Sequence, residues 1–362
     1  MKENPFASLR VLELASVLAG PTVGMFFAEL GAQVEKIEAP GGDVTRSWKV
    51  PEETLSENPS AYFCSVNWGK TFNTLDLQLH ENRKQIYNQI PETDIVIVSY
   101  KPGDAERLGM SYEILSALNP ALIYGEITGY GEGSIRVGYD AIIQAEAGFM
   151  EMNGSADGPP LKMPVAFMDL MAAHQLKEGL LAALYVREKT GRGDKVSVSL
   201  IQAGIASLAN QATNYLMNDT VPNRIGSEHP SIVPYGTRFI TQEGKSLVLA
   251  VGNDKQFQNL LSVLGLENWA FDERVRTNPD RVRNRKFVYD LLAPVFLSES
   301  LGIWLQRLNE KQVPAGGIAN MKEVFNQPYA QSLLLIDKEK KGVRTRIFTA
   351  IEIPFLKLTS PE

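Results

Sequence analysis

The sequence predicts an α/β protein, on three observations. Short apolar runs recur along the first 200 residues, among them LRVLEL, DIVIVS and LIYGEIT. Segments of helical length and amphipathic pattern separate them, and glycine or small residues mark the junctions. Strands interleaved with helices in this way form βαβ units and a mostly parallel sheet.

The elements follow in order. Leu9–Leu14 reads as a strand that ends in the small-residue turn Ala15–Pro21. A helix over Thr22–Leu30 comes next, closed by Gly31 in the position just beyond a helix end. Gln33–Ile37 is a second strand, and Asp94–Ser99 and Leu122–Thr128 are later ones, with Ser111–Leu118 helical between them. A long helix runs from about Leu170 to Lys189, with Leu176, Leu180, Leu181 and Leu184 at helical spacing. It stops at Thr190-Gly191-Arg192-Gly193, and Lys195–Leu200 alternates as a strand. A helix over 201–217 leads into a loop-rich patch at 218–236. Lys245–Val251 is a strand, Lys255–Leu264 a helix that starts after the capping residues Asn253 and Asp254, and Ser300–Lys311 another helix. The stretch 225–315 thus reads as a smaller α+β domain, and Ile347–Leu358 as a last strand returning to the first domain.

Composition narrows the function. The 36 Lys and Arg against 42 Asp and Glu leave a net charge of −6, a poor basis for sequence-independent binding of nucleic acid. One cysteine permits neither an internal disulfide nor a thiolate zinc site, and His80, His174 and His229 lack the spacing of a helical metal pair, so no metal is expected. The length suits two domains of about 150 residues each. The first residues, MKENPFASLRVLEL, hold no signal-peptide core, and no apolar run is long enough to span a membrane, so a soluble cytoplasmic protein is expected.

Glu38 follows the first strand by some twenty residues, as in dinucleotide-binding units, but the loop Val17-Leu18-Ala19-Gly20-Pro21 has no G-x-G-x-x-G. Asp169 reads as the N-cap of the long helix, where free N–H groups and the dipole keep a carboxylate ionised. An ionised, desolvated carboxylate near an activated acyl group is also a competent nucleophile. His229, within HPSIVPYG, stands in a loop from which it can touch a ligand.

These pieces, taken together, resemble the class III CoA-transferase family (the CaiB/BaiF group). The match runs through LRVLELASVLAGP, LGAQVEKIEAPGGDVTR, NWGKTFNTLDL, VSYKPGDAERLG, GYDAIIQAEAGFM, FMDLMAAHQLKEGLLAAL and PAGGIANMKEVFNQP, with order and spacing kept. The resemblance implies a Rossmann-like large domain from residues 1–224 and 316–362, a small domain from 225–315, and an interlocked homodimer of ring-shaped subunits. It implies acyl-CoA as a substrate, with no prosthetic group. In the family an Asp at the start of the long helix is the nucleophile of a ping-pong exchange, which assigns that role to Asp169.

Coenzyme A contacts carry over by motif. Lys70 of NWGK would lie near the adenosine end, and Ser99, Tyr100 and Lys101 match the family's Asn-Phe-Lys/Arg stretch, with Tyr100 placed to stack or pack against the base. Arg107 and Arg136 would meet the phosphates, as charge-assisted contacts suit, and Tyr139 would flank Asp169 and the thioester. The chain departs from the formyl-CoA enzymes at Leu18, where they have Gln, and at Ala39, where they have Arg. The string HPSIVPYG looks like the dicarboxylate branch, which uses succinyl-CoA, and Arg224, His229 and Tyr235 are the residues expected to read the acceptor's distal group. The alternative within the superfamily is an α-methylacyl-CoA racemase, whose G-H-D motif reads Gly138-Tyr139-Asp140 here; a tyrosine, with an ordinary pKa of ~10, is a poor base. A catalytically silent CoA-binding protein is the alternative of another class.

Overall fold

A computed structural model describes residues 4–53, 59–337 and 342–349. These divide into two compact units, one within 1–149, 162–221 and 332–362 and the other within 150–161 and 222–331.

The first unit holds six strands: β1 Arg10–Leu14, β2 Gln33–Glu38, β3 Thr71–Thr74, β4 Ile95–Val98, β5 Ile123–Thr128 and β6 Lys195–Ser199. All pair in parallel in the order β3-β2-β1-β4-β5-β6, with Val11 opposite Val34 on one side and Ile95 on the other. The expected α/β class and parallel sheet are thus present. β4 reads IVIV and is buried at every position. Such a run is what a central parallel strand covered on both faces requires. β3 has no counterpart in the sequence reading: TFNT is a mostly polar edge strand, and an edge strand needs no apolar run.

The connecting helices are α1 Ala19–Glu29, α2 Ala61–Cys64, α3 His80–Gln89, α4 Asp104–Arg107, α5 Tyr112–Leu118, α6 Asp140–Glu146, α7 Phe149–Met152 and α8 Phe167–Thr190. α1 starts three residues before the expected Thr22, because Pro21 fits a first turn, where its missing N–H leaves nothing unpaired. α8 starts three residues before the expected Leu170 and ends at Gly191, whose φ of 69° suits glycine. Leu176 and Leu180 of α8 are fully buried, and both lie against the bare backbone of Gly125 in β5. Burial of each such leucine contributes roughly 1.5–3 kcal/mol. The opposite face of the sheet is covered by Ile86 of α3 and Leu115 of α5, also fully buried.

The chain runs outward from β1 to β3 and then returns to β4 on the other side. At such a reversal the loops leaving the carboxyl ends of two neighbouring strands diverge and open a crevice. That crevice lies above β1 and β4.

In the second unit three antiparallel strands, Tyr235–Ile240, Ser246–Ala250 and Ala315–Gly317, pack on helices that include Asp254–Leu264, Arg285–Phe296 and Leu301–Glu310. This unit is larger than the expected 225–315. The strand Ala315–Gly317 pairs with Ser246–Ala250, which keeps the chain in the unit past residue 316, and Arg224 donates to the carbonyl of Gly158 at 3.1 Å, tying in the excursion 150–161. The expected final strand falls mostly outside the described residues; within them Leu334–Asp337 and Gly342–Thr345 pair antiparallel, and the Ile347 N–H donates to the Glu29 carboxylate at 2.8 Å. Among the described residues no single helix is long and apolar enough to cross a membrane.

Candidate active site

The crevice is built on a strained turn. Between β1 and α1 the chain passes through Val17 at a φ of 70°, a left-handed conformation that a β-branched residue rarely adopts. Three contacts hold it. The Ser16 N–H donates to Ser99 Oγ at 3.1 Å, the Val17 N–H to Asp43 Oδ2 at 3.2 Å, and Lys36 Nζ to the Ala15 carbonyl at 2.5 Å.

Beneath this turn lies a buried cluster of four charges. Lys36 pairs with Glu13 at 2.9 Å and Asp43 at 3.1 Å, and Lys70 pairs with Glu13 at 2.6 Å. The two positive and two negative groups balance, which is the condition for burying them. Burial pushes the Glu13 carboxyl upward, but Lys36 and Lys70 outweigh it and hold the pKa below the ordinary range. For Lys70 burial dominates the pull of Glu13 and lowers the pKa to about 8. Glycine at 24 makes the room, since a Cβ there would stand 1.9 Å from Glu13 Oε2.

Lys70, expected near the adenosine end of the coenzyme, is instead held beneath the turn. Its side chain is fully buried, and Nζ donates to Asn67 Oδ1 and the Pro21 carbonyl as well as pairing with Glu13. It locks α1 to the sheet from below.

Above the turn, a cavity of about 170 Å³ gathers Asp169, Leu18, Ser99, Tyr100, Lys101, Arg136 and Tyr139. Seven residues singled out from sequence thus come together around one space. A second cleft of about 530 Å³ adjoins it, sharing Ser16, Ser99 and Tyr100 and adding Ala39, Asp76 and Arg107. Arg107 is exposed and pairs with Asp104 at 2.7 Å. Arg136 is also exposed, pairs with Glu146 at 2.5 Å and stacks 3.9 Å over the Tyr130 ring. Burial raises the Tyr100 phenol well above its ordinary value, which keeps the ring neutral.

Asp169 is the third residue of α8, not its N-cap. Ala166 takes the cap position and offers no side-chain bond. The carboxylate is also less readily ionised than a helix N-terminus alone would make it: burial first, and then the charge of Asp140, raise the pKa of Asp169 to about 7. The cause is visible in the bonding. The free N–H of Met168 at the helix start goes to Asp140 Oδ1 at 2.8 Å, so one donor that would steady Asp169 is used by its neighbour.

Arg224, His229 and Tyr235 belong to the second unit. The rings of His229 and Tyr235 meet edge to face at 5.3 Å, and His229 Nδ1 accepts the Ser231 N–H at 3.1 Å. Arg224 is engaged with Glu151 at 2.8 Å and with the Gly158 carbonyl.

Three residues of the site escaped the sequence reading. Asp140 stands in the Gly138-Tyr139-Asp140 string, and nothing in its neighbours along the chain shows that its carboxylate reaches the start of α8. Tyr62, on the single turn α2, feels Asp169 strongly enough that burial and that charge together raise its phenol to about 12; a one-turn helix leaves no periodic signal. Val17 is flagged only by its φ. Among the described residues no cluster of three or more His, Cys, Asp or Glu is placed to hold a metal ion.

Comparison with known proteins places this geometry. The sequence model of CoA-transferase family III matches residues 6–357. Succinate–glutarate CoA-transferase of Agrobacterium fabrum is 37% identical over 360 residues, covering 96% of this chain and 90% of that one. Succinyl-CoA:glutarate CoA-transferase of Mus musculus is 36% identical over 328 residues, covering 90% of this chain and 74% of that one. The crystal structure of a CaiB/BaiF family protein from Brucella suis superposes with a TM-score of 0.86 at 36% identity, covering 99% of this chain and 96% of that one.

Proposed function

The chain belongs to CoA-transferase family III, an enzyme family that transfers CoA, and from that premise we propose that it moves CoA from a succinyl-CoA-type donor to a small dicarboxylic acid through covalent chemistry on Asp169. Relatives that act on dicarboxylic acids support the substrate class. The observation that carries the mechanism is Asp169 at the wall of the 170 Å³ cavity, which opens into the larger cleft beside Arg107.

The cleft accommodates the nucleotide end of CoA between Ala39, Asp76 and Arg107, and the thioester reaches the small cavity past Ser99 and Tyr100. An oxygen of ionised Asp169 attacks the thioester carbonyl carbon. The C–S bond breaks, and CoA leaves as thiolate from a mixed anhydride. The thiolate then attacks the Asp169 carbonyl, which releases the donor acid as carboxylate and leaves an aspartyl-CoA thioester. The acceptor carboxylate attacks that carbonyl, expelling the thiolate and forming a second anhydride. Attack of the thiolate on the acceptor's acyl carbon yields the new acyl-CoA and frees Asp169. Every intermediate is an activated acyl group, so the sequence requires that bound substrate keep water from the cavity.

A carboxyl with a pKa near neutrality suits this role. It is more basic than a surface aspartate, hence a stronger nucleophile once ionised, and a large fraction is ionised at neutral pH. Leu18 lines the cavity with an apolar side chain, which favours a methylene chain next to the reacting carboxylate over the second carboxylate of oxalate.

The reading includes a cytoplasmic homodimer of interlocked subunits with a Rossmann-like large domain. Leu216 and Met217, 79% and 76% exposed in the single chain, are surfaces that such a partner would cover; light scattering at the mass of one chain would contradict it. The test of function is exchange of CoA between succinyl-CoA and a panel of small acids, with hydroxylamine trapping of acylated Asp169. Asp169→Ala is expected to abolish exchange and trapping. Normal turnover in that variant overturns the mechanism.

A further inference from the structure

We propose that Asp140 is the positioning residue of this reaction, gripping the start of the helix that carries Asp169 and setting the charge against which that carboxylate works. The proposal rests on the reading of Asp169 as nucleophile.

Asp140 is the first residue of α6, directly after the Gly138-Tyr139 turn. Its Oδ1 accepts the N–H of Met168, the residue before Asp169, at 2.8 Å. Its Oδ2 accepts from Gln144 Nε2 at 2.7 Å. Gln144 is wholly buried, and its Oε1 accepts the Met163 N–H at 2.8 Å while Nε2 also reaches the Val165 carbonyl at 3.4 Å. Two side chains one turn apart on α6 therefore grip the approach to α8 at residues 163, 165 and 168. α8 needs this support, because its own N-cap, Ala166, has no side-chain oxygen to offer the free N–H groups of the first turn.

The second part of the role is electrostatic. Around Asp169 stand Tyr62 on α2, Tyr100 and Lys101 after β4, Arg136 and Tyr139 before α6, and Asp140 itself. Arg136 is drawn off by Glu146 at 2.5 Å, and burial keeps the Tyr62 and Tyr100 phenols neutral. Asp140 is the negative charge that acts on Asp169. Two adjacent carboxylates repel each other until one of them loses its charge. Acylation does this: the bond from the Asp169 oxygen to the thioester carbon forms, the C–S bond breaks, and the negative charge departs on the CoA sulfur. The Asp140 carboxylate thereby favours the covalent state without touching the substrate.

The experiment measures the rate of Asp169 acylation by succinyl-CoA in the full chain from about pH 5 to about pH 9, by mass spectrometry of the hydroxylamine-trapped peptide. In the wild type the rate rises with pH through about 7. Asp140→Asn retains an oxygen for the Met168 N–H, removes the charge and loses the bond from Gln144. The midpoint of its acid limb is expected to move down by about one unit, with a plateau rate roughly tenfold lower. Asp140→Ser, also uncharged, gives the same downward shift and serves if the asparagine variant does not fold. A slower rate at an unchanged midpoint in a folded variant reveals a purely structural cap and overturns the proposal. Absence of acylation in the wild type at every pH overturns the nucleophile reading, and this one with it.

Discussion

Lys70 and Glu13 form an ion pair at 2.6 Å with both side chains wholly out of solvent. The pair ties the segment before β3 to the end of β1, and the turn that shapes the Asp169 cavity starts just beyond it. Removing one member of such a pair leaves an uncompensated buried charge, which costs about 3–5 kcal/mol. Lys70→Met is therefore expected to lower stability by that order, measured as a fall in the urea midpoint, while the KM for acyl-CoA in the folded fraction changes less than about twofold. A large rise in KM at unchanged stability would restore Lys70 as a coenzyme contact.

How much of this was legible in the sequence depends on what each residue's role requires. The parallel sheet was legible because central strands such as IVIV of β4 are apolar throughout. The edge strand β3 was not, since TFNT needs only backbone pairing on one side. Asp169 stood out through its motif, but its helical position and its protonation did not. Both depend on the fold: burial comes first, and then Asp140, which lies 29 residues earlier and meets α8 only in the folded chain. Lys70 illustrates the opposite case. A lysine in a motif looks like a phosphate contact, and only the fold shows that Glu13 lies beneath it. Spacing along the chain carries local structure well; it carries the partner of a buried charge poorly.

The strained turn at Val17 yields a prediction that separates backbone from side chain. At a φ of 70° any residue with a Cβ is strained by roughly 1–2 kcal/mol, and glycine is not. Val17→Ala and Val17→Gly both delete the valine methyls, so their difference isolates the backbone. The glycine variant is expected to be the more stable of the two by about 1 kcal/mol, since its greater freedom in the unfolded chain offsets part of the relief. Denaturation midpoints of the two proteins check it, and an alanine variant equal to or better than glycine would show that the turn is unstrained.

Asp169 itself supplies the last prediction, on stability rather than rate. Burial and Asp140 raise its pKa from 3.8 to about 7, so the folded state holds this proton more tightly than the unfolded chain. The contribution to stability is complete below the unfolded value and is lost as pH rises through the folded one. The wild type thus carries, above pH 7, a penalty bounded by about 4 kcal/mol and reduced by solvent that reaches the half-buried group. Asp169→Asn never develops that charge. Its stability relative to wild type is expected to be greater at about pH 8 than at about pH 5, as read from urea midpoints at the two values. A difference that stays constant between them would mean that Asp169 ionises in the folded protein as easily as in water. The gain in stability from deleting the nucleophile would be the mark of a site held in a state the fold alone does not favour.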